Sequence, residues 1–201
     1  MPNQALIVVD VQNDLCPGGG SLVIPNGDDV VQPLNRYMDV FDQARLMVCV
    51  TRDWHPKSSK LFTAHGGTWP VHCVQHSWGA AFHPNLELPS GADMISKGMN
   101  PDDQDHSCFK GVSLDGTPLL ELLQGKGVEE LFVGGLATDY GVKATVLDAL
   151  RFRFRVTVLE DAIRGVDKNP GDINRAVEEM RKAGAAFAAF ETIITQIRAV
   201  S

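Results

Sequence analysis

Residue types that bind metal ions recur in the segment between positions 52 and 91. Asp53 and His55 are two residues apart, and this spacing points both side chains to the same face of an extended chain. A carboxylate and an imidazole on one face suit a borderline divalent metal ion, and His72 is a candidate third ligand across the following loop. Three protein ligands that leave coordination positions open are typical of a catalytic metal site, whereas structural sites are closed.

The residue pattern alone does not single out this ligand set. An Asp-x-His pair is more often a solvated loop acid beside an unrelated histidine than half of a metal site. Four further histidines compete with His72 for the third position, and they are His65, His76, His83 and His106. At this level of argument the third ligand stays open.

Short apolar runs rich in β-branched residues alternate with helix-like stretches along the chain. Because most runs are apolar on both faces, they predict parallel strands covered by helices on two sides. The runs are Ala5–Val9, Leu46–Val50, Met94–Ile95, Leu131–Leu136, Val156–Leu159 and Ala185–Phe190. The predicted helices run from the Asp28/Asp29 cap to Gln43, from Thr117 to Leu123, from Tyr140 to Leu150 and from Ile173 to Lys182. This alternation predicts a doubly wound α/β sheet with right-handed crossovers in a single domain, residues 1–201.

Polar residues stand at the carboxyl ends of four predicted strands, where ligands bind in folds of this class. Asp10 ends the first strand, the Asp53 segment follows the second, Lys97 follows the third, and residues 135–140 follow the fourth and open a helix. Taken singly, Asp10 is typical of a turn and Lys97 of a solvated surface. At adjacent strand ends they could instead form a buried acid–lysine pair with shifted pKa values. Residues 52–91 lack periodicity, and a loop of that length is usually functional.

The composition and charge of the chain exclude several classes of partner. Of its 201 residues, 44% are hydrophobic and 21% charged, as in an ordinary globular domain. A formal net charge of -7 without a long Lys/Arg run argues against a nucleic acid or an anionic membrane surface as partner. No apolar run approaches the ~20 residues that span a bilayer, and no targeting segment is visible. The sparse cysteines form no CxxC pair and predict a cytoplasmic location; they are Cys16, Cys49, Cys73 and Cys108.

Five segments, taken together, resemble the nicotinamidase/pyrazinamidase branch of the isochorismatase-like cysteine hydrolases. They are VDVQND at 9–14, DWHP at 53–56, WPVHCV at 69–74, KG at 97–98 and GLATDY at 135–140, in the order of the family. The resemblance implies a three-layer α/β/α fold with a central, mostly parallel six-stranded sheet of Rossmann-like topology. It also implies a metal-dependent amidohydrolase that converts nicotinamide, or pyrazinamide, into the acid and ammonia, and it leaves a homo-oligomer open.

The resemblance also implies roles for individual residues. Asp10 matches the general base, and Lys97 matches the partner that orients it and stabilises developing negative charge. Asp53, His55 and His72 match the ligands of one divalent ion, with zinc favoured over iron or manganese. His65 is a candidate additional ligand.

The ligand-binding walls follow from the same resemblance. Trp69 and Leu15 match the residues that sandwich the pyridine ring. The Leu136–Ala137 bond matches a cis peptide, so that Ala137 and the backbone N–H at the next helix start shape an oxyanion hole.

Gly141 departs from the family pattern, because the family carries its nucleophilic cysteine directly after the Ala-Thr-Asp-aromatic run. Glycine has no side chain, so formation of a thioester at this position is excluded. Three interpretations stay open: an engineered inactive variant that still binds ligand, a natural small-amide binding protein, or weak hydrolysis by direct attack of a metal-bound water. A related amidase with another small substrate is a further alternative within the family.

Overall fold

The computed structural model describes residues 3–198, and its centre is a six-stranded sheet. The strands are β1 (Asn3–Val9), β2 (Met47–Asp53), β3 (Asp93–Lys97), β4 (Val128–Leu136), β5 (Arg155–Arg164) and β6 (Ala186–Ala188). Their order is β3-β2-β1-β4-β5-β6, and all neighbours are parallel. The predicted α/β class with a mostly parallel sheet is therefore confirmed.

Helices cover both faces of this sheet. They are α1 (Val31–Gln43), α2 (Leu119–Gly125), α3 (Lys143–Arg151), α4 (Asp172–Ala183) and α5 (Phe190–Arg198). In β1, Leu6 and Val8 are buried in one apolar cluster with residues of α1 and α5. Ile7 and Val9 alternate with them and are buried in a second cluster with residues of α2, α3 and α4. Because β1 packs against helices on both sides, its sequence is apolar throughout and does not alternate.

The second and third strands extend further toward their carboxyl ends than their apolar runs. β2 continues past Val50, and Asp53 is its last residue, paired in register with Lys97 at the end of β3. Polar residues complete this ladder because hydrogen bonding to the neighbouring strand, not apolar character, decides where a strand ends. Two oppositely charged side chains thereby stand side by side at the carboxyl-terminal ends of β2 and β3.

The strand predicted over Ala185–Phe190 is shorter in the structure, and the helix α5 that follows it was not predicted. The strand β6 ends at Ala188, and α5 begins at Phe190. The Phe190 N–H donates to Asp161 Oδ2 at 3.2 Å, and the Phe190 ring packs edge-on against Tyr37 with centroids 5.0 Å apart. These contacts with distant segments stabilise a helix start that local sequence does not reveal.

Two further properties bear on the expectations from composition. Across residues 3–198, none of the helices is both long and apolar enough to cross a bilayer. All four cysteines are buried and unpaired.

Candidate active site

A cavity at the carboxyl ends of β1 to β4 gathers the predicted site residues. It opens to solvent, and the free space between its lining atoms, part of it open solvent, is about 480 Å³. Apart from the candidate additional ligand His65, the residues given a role at the site from the sequence all line it: Asp10, Leu15, Asp53, His55, Trp69, His72, Lys97, Ala137 and Gly141. Segments more than 100 residues apart along the chain thus meet at one place, as the carboxyl-end rule predicts.

Lys97 lies at the base of the cavity between two carboxylates. Its Nζ is 2.8 Å from Asp10 Oδ2 and 2.5 Å from Asp53 Oδ1, and the lysine is 1% exposed. Burial disfavours the charged form of Lys97, but the two carboxylates outweigh it and raise the lysine pKa above its usual value. The lysine is therefore a permanent cation that touches both acids.

The two acids differ in their pKa values although they share the lysine. Burial raises the pKa of Asp10 to about 6, against the opposing charge of Lys97. Burial also disfavours ionisation of Asp53, but Lys97 and the neighbouring histidines hold the pKa of Asp53 well below its ordinary value. Asp53 is thus an ionised ligand, whereas Asp10 can exchange a proton near neutral pH.

Thr51 orients Asp10 from behind, a contact that the sequence reasoning missed. The Thr51 hydroxyl donates to Asp10 Oδ1 at 2.7 Å, and the Cys108 Sγ lies 3.3 Å from that hydroxyl. The other oxygen, Oδ2, remains directed toward Lys97 and Gly141. Thr51 directly follows the apolar run Leu46–Val50, and no local sequence pattern marked it as a site residue. Burial raises the pKa of Cys108 to about 12, so this thiol stays protonated.

Asp53, His55 and His72 form a group that fits a divalent metal ion. One ligand atom from each lies within 4.8 Å of the others. The Nδ1 atoms of His55 and His72 lie 3.0 Å and 2.8 Å from the carbonyl oxygens of Gly98 and Pro70, which leaves each Nε2 for a metal. The Nε2 of His55 is buried and has no hydrogen-bond partner among the described residues. A buried nitrogen of this kind is costly unless a ligand satisfies it, so the residues present fit the ion.

Backbone contacts bring the two histidines together. The His55 N–H donates to the Cys73 carbonyl at 3.0 Å, and the Gln75 N–H donates back to the His55 carbonyl at 2.9 Å. Gly98 packs directly on the other side: it has φ +66°, and a Cβ there would collide with the His55 ring. Gly98 thus bounds the ring of His55, while the segment around position 73 fixes the His55 backbone.

The structure distinguishes among the four histidines that competed with His72 for the third ligand position. His65 is exposed, and its Nε2 lies 3.0 Å from the Lys57 carbonyl, so the expectation that it adds a ligand is not met. His76 and His83 do not line the cavity, but His106 does. No spacing in the sequence distinguished His106 from the others.

Three aromatic side chains form one wall of the cavity. Trp69 packs edge-on against Tyr140 with centroids 4.8 Å apart, and His106 lies 6.4 Å from Trp69 and 5.4 Å from Tyr140. Leu15 also lines the cavity. An aromatic wall with an aliphatic partner suits a flat apolar ring.

Gly141 lies in a π-helical turn, Thr138–Val142, and not in the first turn of an α-helix as the sequence predicted. The preceding Leu136–Ala137 peptide is cis. A Cβ built on Gly141 would lie 3.2 Å from Asp10 Oδ2 and 3.1 Å from the Leu136 carbonyl oxygen. Any side chain at position 141 would therefore begin against Asp10, inside the cavity.

Comparison with known proteins agrees with this geometry. Residues 4–192 match the Isochorismatase domain family. The chain is 40% identical to the nicotinamidase of Escherichia coli (strain K12) over 203 residues, which cover 93% of this chain and 95% of that protein. The crystal structure of the Pyrococcus horikoshii pyrazinamidase in complex with zinc has a TM-score of 0.85 at 42% identity, covering 94% of this chain and 100% of that one. The crystal structure of PnC1 from L. infantum in complex with nicotinate has a TM-score of 0.79 at 31% identity, covering 93% and 92%. The chain therefore belongs to the isochorismatase family and groups with its nicotinamidase and pyrazinamidase members.

Proposed function

We propose that the chain is a metal-dependent scaffold of the nicotinamidase type that binds a small carboxamide, nicotinamide or pyrazinamide. We further propose that it hydrolyses this ligand very slowly, because Gly141 supplies no nucleophile. One observation carries the proposal: a single cavity holds a metal-ligand triad, a buried acid–lysine pair and Gly141. The zinc-bound and nicotinate-bound relatives support the metal and the pyridine ligand.

The triad of Asp53, His55 and His72 would hold the ion. A divalent metal in this position supplies Lewis acidity and an anchor for a ligand heteroatom. We propose zinc, while iron and manganese are accepted by the same ligand types. The buried, unpartnered Nε2 of His55 supports a coordinating role for that atom.

Asp10 and Lys97 would manage the proton and the charge of hydrolysis. Asp10 Oδ2 would accept the proton of an attacking group and pass it to the departing nitrogen, since its pKa of about 6 suits both directions. Lys97 would orient this carboxylate through its 2.8 Å contact and stabilise negative charge that develops nearby. Thr51 would keep the other oxygen of Asp10 occupied.

The cavity walls would hold the ring and the carbonyl group. Trp69 and Leu15 would contact the two faces of a flat ring, as expected for an aromatic and an aliphatic wall. Ala137 and Gly141 line the cavity, and their backbone N–H groups would be the donors to the carbonyl oxygen of the ligand.

Gly141 limits turnover in this proposal. No cysteine, serine or threonine occurs among the described residues that line the cavity. The four cysteines are buried elsewhere, and burial raises the pKa of each thiol. Among the described residues that line the cavity, none therefore offers a thiol or an aliphatic hydroxyl to replace the missing nucleophile.

The decisive experiment is the substitution Gly141→Cys, assayed for ammonia release from nicotinamide with zinc present. We expect a gain of roughly three or more orders of magnitude, because nucleophile, base and lysine act as a unit. Gly141→Ala is the matched control: it adds the Cβ, which needs shifts of only a few tenths of an ångström, but no sulfur. A folded, zinc-loaded Gly141→Cys protein that stays inert would refute the proposal.

A second candidate function is a binding protein for small amides without hydrolysis, which the glycine itself favours. It predicts measurable nicotinamide affinity by calorimetry and no gain of activity from Gly141→Cys. A related amidase would instead gain activity on another amide, so a substrate panel on the same variant separates the three cases.

A further inference from the structure

Asp14 is a buried acid that the proposed chemistry does not use. It lies in the helical turn Asn13–Leu15, shortly after Asp10, and is 9% exposed. Both of its carboxylate oxygens accept backbone N–H groups, Oδ2 from Cys73 at 2.7 Å and Oδ1 from Ser21 at 3.1 Å. Because a carboxylate is costly to bury, these hydrogen bonds compensate it, and the segments that it holds indicate its role.

The contact with Cys73 reaches both histidines of the metal triad. The Cys73 N–H belongs to the peptide bond that joins Cys73 to His72. The Cys73 carbonyl accepts the N–H of His55, the second histidine, at 3.0 Å. Cys73 also has φ +45°, a left-handed conformation that non-glycine residues seldom adopt and that surrounding contacts must stabilise. Asp14 therefore fixes the backbone of the two histidines through one residue.

The carboxylate of Asp14 cannot turn away from Cys73. Gly79 packs against it, and a Cβ at position 79 would collide with both carboxylate oxygens. The main chain of Asp14 is fixed as well: its N–H donates to the Gly79 carbonyl, and its carbonyl accepts the N–H of Leu22, both at 3.0 Å. Asp14 is thus a rigid support for the segment that carries His72.

We propose that Asp14 is a positioning residue of the metal site and that, through Cys73, it holds His55 and His72 in place to bind one divalent ion. Asp14 itself is no ligand in this proposal, because both its oxygens already accept backbone N–H groups. The inference rests on the metal triad of the proposed function, but not on the nucleophile or on the identity of the amide. Loss of the contact with Cys73 should therefore weaken metal binding even in a chain that hydrolyses nothing.

The test uses Asp14→Asn and measures zinc affinity by competition with a chromogenic chelator. An amide has one acceptor oxygen, and its NH2 group would face the other N–H, so the variant loses at least one of the two contacts. We expect zinc affinity to fall by about 10-fold. Co²⁺ bound in place of zinc should show an altered visible absorption spectrum, because this spectrum reports the geometry of the ligands.

Asp139→Asn is the matched control. Asp139 also accepts two backbone N–H groups, but they belong to Val166 and Asp167, which follow β5 and adjoin no residue of the triad in sequence. This variant should leave both the zinc affinity and the Co²⁺ spectrum unchanged.

Gly79→Ala tests the same contact without altering the carboxylate. Its Cβ would displace the carboxylate from Cys73, so zinc affinity should again fall by about 10-fold. Gly91→Ala is the control for this variant, because Gly91, like Gly79, lacks a positive φ and a Cβ there meets nothing within 4 Å.

A folded Asp14→Asn protein with the zinc affinity and the Co²⁺ spectrum of the unchanged chain would overturn the inference, and so would equal losses in Asp14→Asn and Asp139→Asn. Either result would leave the proposed function standing if Gly141→Cys releases ammonia. Weakened zinc binding in Asp14→Asn together with an inert, zinc-loaded Gly141→Cys would refute the proposed function and support this inference. An unchanged chain that binds no zinc would overturn both.

Discussion

The cavity has two halves that differ in completeness. In the metal half, defined as Asp53, His55 and His72, each histidine is oriented by a second hydrogen bond to a carbonyl oxygen. In the hydrolytic half, defined as Asp10, Lys97 and Gly141, the acid and the lysine are equally well oriented, but the third position has no side chain. The contacts of the metal half do not involve position 141. Under the proposed function, ligand binding and turnover can therefore be tested separately.

The two halves nevertheless share one residue. Lys97 contacts Asp53 on one side and Asp10 on the other, so a change in either acid alters the electrostatic environment of the other. Four variants test whether the halves are independent. They change Lys97, which both halves share, Asp10 in the hydrolytic half, Gly98 beside the metal half, and Asp139, which supports the cavity wall.

Lys97→Met should have the largest effect, because it leaves two buried carboxylates without their cation. We expect the free energy of unfolding to fall by about 3–5 kcal/mol in urea titrations with a chelator present. Added zinc should reduce this deficit, since the ion restores positive charge beside Asp53. Lys60→Met is the control, because its partner Asp102 is exposed and such pairs contribute at most about 1 kcal/mol. Equal losses in the two variants would show that Lys97 does not couple the halves.

Asp10 should give the metal-free protein a distinctive pH dependence. Its pKa is raised to about 6 from 3.8, so between those values the folded state holds a proton that the unfolded state has released. The free energy of unfolding should therefore fall as the pH rises from about 4 to about 6, by about 2 kcal/mol relative to Asp10→Asn. Parallel stability curves for the two proteins across this range would contradict the assignment. Asp53 has a lowered pKa, so its ionised carboxylate stabilises the folded state, and this contribution to the free energy of unfolding is lost as the pH falls below this window.

Gly98→Ala should damage the metal half alone. The added methyl group would collide with the His55 ring, and the carbonyl that orients His55 belongs to the same residue. We expect zinc affinity to fall by about 10–100-fold in competition with a chromogenic chelator. Gly116→Ala is matched to it, because Gly116 also has a positive φ but meets nothing within 4 Å. Unchanged zinc affinity in Gly98→Ala, or an equal loss in both variants, would argue against the role of Gly98.

Asp139→Asn should have the smallest effect and act on the wall that both halves share. Asp139 accepts hydrogen bonds of 2.9 Å from the N–H groups of Val166 and Asp167, and Val166 lines the cavity. An amide can accept only one of them well, so nicotinamide affinity should weaken several-fold, about 1 kcal/mol, while zinc affinity stays unchanged. Asp161→Asn is the comparison, because Asp161 also accepts two hydrogen bonds but does not line the cavity. Equal losses of nicotinamide affinity in the two variants would show a general effect on stability.

The sheet was predictable from sequence because its central strands are buried on both faces and read as continuous apolar runs. The positions at which β2 and β3 end were not predictable, because the pairing of Asp53 with Lys97 joins strands more than 40 residues apart in sequence. Helix α5 was missed for a similar reason: the side chain that binds its first N–H, Asp161, lies at a distance along the chain.

The candidate site was predictable to the extent that its residues follow strand ends or match the family segments. His72 could not be separated from four other histidines by spacing. It is selected by the backbone pairing of His55 with the loop at position 73, which is a tertiary contact. Thr51 and His106 reach the site in the same way, through neighbours in space that no local pattern encodes.

The shared lysine also determines how the cavity treats charge. Above about pH 6, where Asp10 and Asp53 are both ionised, these two carboxylates and the single ammonium group of Lys97 carry one net negative charge in the metal-free protein, and a divalent ion would reverse that sign. A carboxylic acid released by amide hydrolysis would thus meet repulsion before metal loading and attraction afterwards. Retention of an acidic product should accordingly report on metal occupancy, even in a chain that forms no such product itself.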